Sequence, residues 1–340
     1  MNALDGLPHD TARAPTVTVI IAAYNAGSTL SAAIESILRQ TGAEFELLIV
    51  NDGSVDATLK VAEQYATEHA GIVVLTQPHG GTAKALNLAL KTARGTLITR
   101  LDADDELAGD YLAHMVRFVD SHPDFDIYSP DLLVVGPDGP PYRLYGWPET
   151  RSVDLSDMLE RSVIPGAGTM ARRQVFDITG GYRENVYSED YDLWLRALAA
   201  GMKHIYLPQP LYIYRQGAET RKSADLVAAY ASTVAIQREL RASGTLSDAQ
   251  ARKVDASIEF IESLIEEARM GGAEVRQAVV TDSLTGVRRS LSRAFGEQRS
   301  ERMMVRLLEL GPIFRPLWRL WVGLIVRFRG RRTSTDSGDR

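Results

Sequence analysis

The chain has 340 residues, of which 45% are hydrophobic and 24% are charged, a composition typical of a folded globular protein. Its net charge is −6, whereas proteins that bind nucleic acids are typically basic, so no nucleic-acid partner is expected. The absence of cysteine excludes disulfides and thiolate metal sites, and it fits a cytoplasmic location.

The two ends of the chain predict little structure of their own. Residues 1–14 contain an early acid and no apolar core, which predicts a short disordered lead rather than a signal peptide. Residues 333–340 likewise predict a disordered tail. No apolar run approaches about 18 residues, so no membrane-spanning helix is expected.

Between residues 15 and 130, strand patterns alternate with helix patterns. Apolar and β-branched runs predict strands at TVTVIIAAY, FELLIV, GIVVLTQ and TLITRL, with apolar residues at helical spacing between them. Ser28 or Thr29 is expected to cap the first helix, and Ser54 the second. This alternation predicts an α/β fold, in which helices cover both faces of a parallel sheet.

The pattern changes after residue 130. Residues 131–220 carry shorter strand patterns, a Pro/Gly turn and one clear helix, SEDYDLWLRALAAG. Residues 221–332 are almost wholly helical by their periodicity. The helices predicted there span 224–240, 247–270 and 274–295.

Polar side chains follow the ends of three predicted strands, in AAYNAG, VNDGSVD and LDADD. Because parallel sheets bind ligands at the carboxyl ends of their strands, these segments are expected to share one edge. Asp102 and Asp104 offer the hard oxygen ligands that Mg²⁺ or Mn²⁺ takes, usually one or two carboxylates completed by phosphates and water. Such a pair of carboxylates suits the binding of a nucleoside diphosphate through the metal. The alternative interpretation is that the acids form a solvent-exposed turn or helix start without a ligand.

Two other metal-dependent classes do not fit LDADDEL. An EF-hand loop needs glycine where Leu107 stands and glutamate where Ala113 stands. A haloacid-dehalogenase-like phosphatase normally has its Asp-x-Asp after the first strand, followed by Thr or Val, whereas Asp105 takes that place here.

Three further segments each allow a functional and a structural interpretation. Asp52 is placed to accept a hydrogen bond from a base, or it simply ends a strand. Tyr24 offers a surface for stacking, or it packs over a loop. In HGGTAKALN, paired glycines precede a helix whose N-terminus suits an anion, and Lys84 adds a positive charge.

The acids of YSEDYDLWLR open a predicted helix. Glu189, Asp190 and Asp192 there either favour the helix dipole or include a general base. Because adjacent residues cannot share one helix face, at most one of Glu189 and Asp190 is that base. GAGTMA at 166–171 matches a dinucleotide fingerprint, but it follows Pro165 rather than a clear strand, which disfavours a nicotinamide or flavin cofactor.

Together and in this order, four segments resemble glycosyltransferase family 2 over residues 15–215. They are TVIIAAYNAGSTLSAAIESILRQT, FELLIVNDGSVDAT, HGGTAKALNLALKTARGTLITRLDADD and GGYRENVYSEDYDLWLRAL. The resemblance implies a GT-A fold, with a nucleotide-sugar-binding half at 15–130 and an acceptor-binding half at 131–220. It implies inverting, metal-dependent transfer from a nucleoside-diphosphate sugar, with a UDP-sugar expected, to a glycan or lipid-linked acceptor in polysaccharide or cell-envelope glycan synthesis.

By the same resemblance, Asp190 is the catalytic base and Glu189 supports it. Asp102 and Asp104 bind the metal, Mg²⁺ or Mn²⁺, and Tyr24 lies against the nucleoside base, to which Asp52 is hydrogen-bonded. The residues expected to bind the nucleotide-sugar are Ala23, Tyr24, Asn25, Asp52, Lys84, Asp102, Ala103 and Arg215.

The sequence departs from the family pattern in two places. It has no Gln/Arg-x-x-Arg-Trp motif, which favours a single-addition enzyme over a processive synthase. Gly217 stands where many members have a histidine, although Arg215 could still serve the pyrophosphate.

A nucleotidyltransferase would carry a Gly-rich, basic signature after the first strand, which AAYNAGS lacks. A non-catalytic scaffold protein would be expected to have lost the Asp-x-Asp or the Glu-Asp pair, and this sequence has both.

The segment at 313–332 is basic and amphipathic, with six arginines and no acid. It predicts either a helix in the plane of an anionic membrane surface, on the inner face of the cell membrane, or a terminal helix docked on the body of the protein.

Overall fold

The computed structural model describes residues 16–136, 140–160, 162–215 and 226–270. The predicted disordered lead, the predicted helix at 274–295, the basic segment at 313–332, the tail and Gly217 all lie outside these residues.

The described residues form strands and helices in the predicted alternation. The strands are β1 (Val17–Ala23), β2 (Phe45–Asp52), β3 (Ile72–Gln77), β4 (Leu97–Arg100), β5 (Glu106–Leu107), β6 (Ile127–Val135), β7 (Tyr142–Arg143), β8 (Arg151–Val153), β9 (Met170–Arg172) and β10 (His204–Arg215). The helices are α1 (Leu30–Leu38), α2 (Thr58–Glu68), α3 (Thr82–Thr92), α4 (Tyr111–Ser121), α5 (Leu155–Glu160), α6 (Arg173–Thr179), α7 (Glu189–Ala199), α8 (Leu226–Ala242) and α9 (Asp248–Met270).

These strands join in one sheet with the order β3-β2-β1-β4-β9-β6-β10-β5. The first four are parallel to one another, β9 is antiparallel to both β4 and β6, and β6 is parallel to β10. The short strands β7 and β8 pair with β6 and β10. The predicted α/β fold is confirmed: the strands of the N-terminal half, β1 to β4, are parallel, and the antiparallel pairs involve strands that follow them in the chain.

The parallel strands are apolar throughout because helices cover both of their faces. In β1, Val19 and Ile21 belong to the core cluster that includes α1 and α4, whereas Ile20 belongs to the cluster that includes α3, α6 and α7. Successive side chains of a strand point to opposite faces, so one run of β-branched residues supplies both cores. A sheet buried in this way has only its strand ends available for a ligand.

The two described C-terminal helices confirm the helical periodicity of 224–240 and 247–270. Gln237 of α8 is buried, and its Nε2 lies within hydrogen-bond distance of the Leu159 carbonyl at 3.1 Å, of Tyr191 Oη at 2.8 Å and of Ser257 Oγ at 3.1 Å. These contacts tie α8 to α5, α7 and α9. No helix in the described residues is long and apolar enough to cross a membrane.

The predicted role of Ser54 as a helix cap is wrong. Helix α2 begins at Thr58, four residues later, and Asp56 Oδ1 accepts the Thr58 N–H at 3.0 Å. Ser54 Oγ instead accepts the Asn25 N–H from the neighbouring loop. Thr29 does occupy the N-cap position of α1, but without a capping bond from its side chain.

Candidate functional site

The loops that follow β1 and β2 are held together by hydrogen bonds. Asn25 has a positive φ of 50°, and its N–H donates to Ser54 Oγ at 3.0 Å. In return the Val55 N–H donates to Asn25 Oδ1 at 3.0 Å. Ala23 at the end of β1 is buried, whereas Tyr24 is 48% exposed. The pairing of the loops thus presents an aromatic side chain at the carboxyl edge of the sheet.

Asp52, the last residue of β2, organises the loop before α3. Its Oδ1 accepts hydrogen bonds from Gln77 Nε2 at 2.6 Å and from the Gly80 N–H at 2.9 Å. Its Oδ2 accepts the Gly81 N–H at 2.8 Å and lies 2.9 Å from His79 Nδ1. The N–H groups of the paired glycines therefore bind the buried carboxylate of Asp52, and their binding of an anionic ligand stays a prediction.

Tyr24, in the loop after β1, is stacked on His79 of the loop before α3. The ring centroids of Tyr24 and His79 are 3.9 Å apart with an angle of 24° between the planes. Lys84, exposed on the first turn of α3, lies with its aliphatic chain across Gly80. The side chains predicted to surround a nucleoside base are therefore together at the ends of β1 and β2.

The Asp-x-Asp segment forms a turn after β4. The Asp105 N–H donates to the Asp102 carbonyl at 3.1 Å. Asp102 and Asp104 are partly exposed, whereas Ala103 and Asp105 are buried. The alternation places the two predicted metal ligands at the edge and the intervening residue in the core.

Asp105 anchors this turn to β10. One of its carboxylate oxygens accepts Tyr212 O–H at 2.8 Å, and the other accepts the Arg215 N–H at 2.9 Å. Burial, followed by the nearby charge of Asp102, raises the pKa of Asp105 to about 7. Tyr212 Oη also accepts the Asp102 N–H at 3.3 Å. The third acid of LDADD thus has a structural role that sequence reasoning did not assign.

Arg100, the last residue of β4, connects the Asp-x-Asp to the acids of α7. Its Nη1 lies 3.2 Å from Glu189 Oε1, and its Nε lies 3.4 Å from Asp102 Oδ1. The side chains of Arg100 and Glu189 are only 11% and 6% exposed. Burial lowers the pKa of Arg100, but Asp102, Glu189 and other nearby groups together raise it well above its usual value. This buried cation holds acids from two distant segments in one cluster.

Asp190 lies next to this cluster, against the loop that contains GAGTMA. A Cβ on Gly166 would be 2.5 Å from Asp190 Oδ2, so only glycine leaves room for the carboxylate. A Cβ on Gly168, whose φ is +75°, would be 2.6 Å from the Tyr212 ring. The glycines of this motif therefore allow close packing, and the segment leads into β9 rather than opening a helix after a strand.

Arg215 ends β10 close to the Asp-x-Asp turn. Its guanidinium is bonded to Glu106, with Nε 2.8 Å from Oε1, and Arg39 lies 3.8 Å from the same carboxylate. Its expected contact with a pyrophosphate stays a prediction, because the described structure gives this side chain a carboxylate partner. Gly217 lies outside the described residues.

Asp102 and Asp104 offer two carboxylates, which is part of the coordination that a divalent cation needs. The described residues contain no group of three or more His, Cys, Asp or Glu side chains that could hold a metal ion. Two partly exposed carboxylates match the number that Mg²⁺ usually takes from a protein when phosphates and water complete its coordination. The residues present therefore fit a cation that arrives with a phosphate ligand.

The sheet, with its acids gathered at the carboxyl edge, has the GT-A fold. Two solved structures share the fold: S. aureus TarS 1-349 in complex with UDP-GlcNAc and mannosyltransferase PcManGT from Pyrobaculum calidifontis in complex with GDP-Man and Mn²⁺. The first has a TM-score of 0.60 and 20% identity over 87% of this chain and 92% of that chain. The second has a TM-score of 0.56 and 18% identity over 92% and 85%.

The chain belongs to glycosyltransferase family 2. Residues 18–179 match the family described as Glycosyl transferase family 2. The chain is 32% identical over 214 residues to EpsE of Bacillus subtilis (strain 168), a protein named as a glycosyltransferase, with 61% of this chain and 76% of EpsE covered. It is 30% identical to hyaluronan synthase of Pasteurella multocida over 57% of this chain but only 20% of the synthase.

Four features of the site were missed in the sequence: Arg100, His79, Gly166 and the pair formed by Asp105 and Tyr212. Arg100 could have been noticed as a charged residue at the end of a buried strand, two residues before Asp102. The contacts of the others join segments far apart in sequence, and no local pattern indicates them.

Proposed function

We propose that this chain transfers a sugar from a nucleoside-diphosphate sugar to an acceptor hydroxyl, with inversion at the anomeric carbon, in the synthesis of a polysaccharide or another cell-envelope glycan. The observation that carries the proposal is the Arg100 cluster, in which one buried guanidinium lies between Asp102 and Glu189. Membership of family 2 fixes the class of reaction, and the similarity to a hyaluronan synthase supports a glycan product.

The donor is expected to lie along the carboxyl edge of the sheet. Tyr24 offers its ring to the base, with Ala23 and Asn25 as neighbours, and Asp52 is the acceptor for a base N–H. Lys84, Asp102, Ala103 and Arg215 contribute toward the phosphates and the sugar. A UDP-sugar is the expected donor, which the UDP-GlcNAc complex of TarS supports, whereas PcManGT was solved with GDP-Man.

Asp102 and Asp104 would hold Mg²⁺ or Mn²⁺ together with the donor diphosphate. When bound, such a cation stabilises the negative charge of the departing nucleoside diphosphate. The Mn²⁺ in the PcManGT complex supports a divalent cation in this fold.

Asp190 acts as the general base in this proposal. The acceptor hydroxyl loses its proton to the Asp190 carboxylate as its oxygen forms a bond to the anomeric carbon, and the bond to the nucleoside diphosphate breaks. One displacement inverts the anomeric centre. Glu189, fixed by Arg100, supports Asp190 by setting the start of α7, and the packing of Asp190 against Gly166 fixes its direction.

The acceptor is expected to be a glycan or a lipid-linked sugar. Binding of the basic segment at 313–332 to an anionic membrane surface would bring the enzyme to such an acceptor. Vesicle co-sedimentation tests this point, since binding to anionic but not to neutral vesicles is expected. Equal binding to both would exclude the electrostatic mechanism.

The first test of the donor site is a thermal-shift panel of UDP, GDP, dTDP and CDP, each with Mn²⁺ or with EDTA. A ligand that binds only the folded chain raises the melting temperature. We expect one nucleotide, UDP, to raise it, and to do so more in Mn²⁺ than in EDTA. No shift with any nucleotide would contradict the donor site, and product of retained anomeric configuration would contradict the single displacement.

A further inference from the structure

The His79 side chain has two contacts that the proposed donor site offers to a nucleoside base. Its ring is stacked on Tyr24 with 3.9 Å between the centroids and 24° between the planes. Its Nδ1 lies 2.9 Å from Asp52 Oδ2. A base bound at this site would likewise stack on Tyr24 and donate an N–H to Asp52.

These contacts exclude a base from the same position. A centroid separation of 3.9 Å leaves no space for another ring between Tyr24 and His79. The other acceptor positions of Asp52 are used as well, since Oδ1 accepts from Gln77 and Gly80, and Oδ2 from Gly81. A carboxylate has about four such positions, so the one facing His79 is the position that a base could take.

His79 is also the partner that is free to leave. Its side chain is 53% exposed, so rotation about its side-chain bonds moves the ring into solvent. The glycine N–H groups and Gln77 are part of the loop and strand that fix Asp52, and their bonds do not need to change. Exchange of one ring for another therefore requires no rearrangement of the sheet.

We propose that His79 occupies the base subsite of the free protein and that donor binding displaces its imidazole from Tyr24 and Asp52. The inference rests on the proposed donor site. It makes His79 a determinant of donor affinity, because the apparent dissociation constant increases as the open fraction of the site decreases. A stacked aromatic pair corresponds to a factor of about 2 to 10 in an equilibrium constant.

Calorimetry with UDP, GDP, dTDP and CDP in Mn²⁺ tests the proposal on the full chain and on three variants. His79→Ala removes the competing ring and is expected to bind the preferred nucleotide about 2- to 10-fold more tightly than the wild type. His79→Phe keeps a ring for Tyr24 and is expected to bind more weakly than His79→Ala. His69→Ala is the matched control, because His69 faces Tyr65 on α2 at a centroid distance of 6.4 Å.

A second readout follows the imidazole itself by NMR. The ring protons of His79 are expected to be shifted upfield by Tyr24 in the free protein and to move downfield when the nucleotide is added. In Tyr24→Ala they should already be at the downfield position without nucleotide.

The outcomes separate this inference from the proposed function. If the wild type binds a nucleotide but His79→Ala binds it equally or more weakly, His79 is no competitor, and the donor site stands without this inference. An imidazole signal that does not move on binding overturns it as well. If neither the wild type nor His79→Ala binds any of the four nucleotides, the donor site and the inference both fail.

Discussion

Replacing Gly166 by alanine is expected to displace the proposed catalytic base. A Cβ at this position lies 2.5 Å from Asp190 Oδ2, 2.8 Å from its Cβ and 3.0 Å from its Cγ. Ordinary contacts begin at 3.4 Å, so the carboxylate oxygen must move by about 0.9 Å or the loop must shift by a similar distance. Gly166 does not have a positive φ, so alanine adds no backbone strain and the effect is steric.

The size of the effect follows from this displacement. Misplacing a reacting group by about 1 Å costs on the order of 100-fold in rate. We therefore expect kcat of Gly166→Ala to fall about 100-fold, with little change in the donor KM, because Tyr24 and Asp52 are on other loops. The overpacking itself is expected to lower the free energy of unfolding by about 1–3 kcal/mol.

Initial-rate kinetics of sugar transfer, combined with urea unfolding, would measure both quantities. Gly71→Ala is the control, because a Cβ there meets nothing within 4 Å, and it should leave kcat unchanged. A folded Gly166→Ala variant with wild-type kcat would refute the reasoning, since the position of Asp190 would then not limit transfer.

Three further predictions address the base, the metal ligand and acid stability. Asp190→Asn should lower transfer by about 10²- to 10⁴-fold without changing donor affinity in calorimetry, and surviving activity would assign the base elsewhere. Asp104→Ala should weaken donor binding in Mn²⁺ but not in EDTA, and wild-type affinity in Mn²⁺ would exclude its role. Burial, with Arg151 nearby, lowers the pKa of His204 from 6.5 to about 3. The unfolded chain therefore takes up this proton first as the pH falls, and the free energy of unfolding should decrease by about 2 kcal/mol between pH 7 and pH 5 through this residue. In urea unfolding, the free energy of unfolding of His204→Gln should decrease by about 2 kcal/mol less over this pH range than that of the wild type. An equal decrease in both proteins would contradict the prediction.

The sequence was sufficient to predict the sheet and the edge where the site lies. Strands β1, β2 and β4 are apolar on both faces, which indicates their burial, and helix patterns alternate with them, which indicates their parallel direction. The helical spacing of apolar residues was likewise sufficient to predict α8 and α9. Such features depend on residues that are close together in the chain.

The details that could not be predicted depend on distant partners. Ser54 matches the preference of a helix cap, but its Oγ accepts an N–H from Asn25, 29 positions away. Asp105 resembles another exposed acid in LDADD, yet Tyr212 and Arg215, more than 100 positions later, bury it and bond to it. The position of a partner so distant in sequence is not indicated by the local pattern, which is why the capping role predicted for Ser54 was wrong and the role of Asp105 was not assigned.

The charge of the site explains why an arginine ends β4. Asp102, Glu189 and Asp190 lie near Arg100, and like charges gathered at a partly buried site repel one another unless a cation lies between them. One guanidinium can offset this repulsion in the free protein, but a donor diphosphate adds further negative charge beside Asp102. We therefore expect a second cation at Asp102 and Asp104 to offset this added charge when the donor binds. The proposed metal dependence thus follows from the same electrostatics that fixes Glu189 and Asp102 around Arg100.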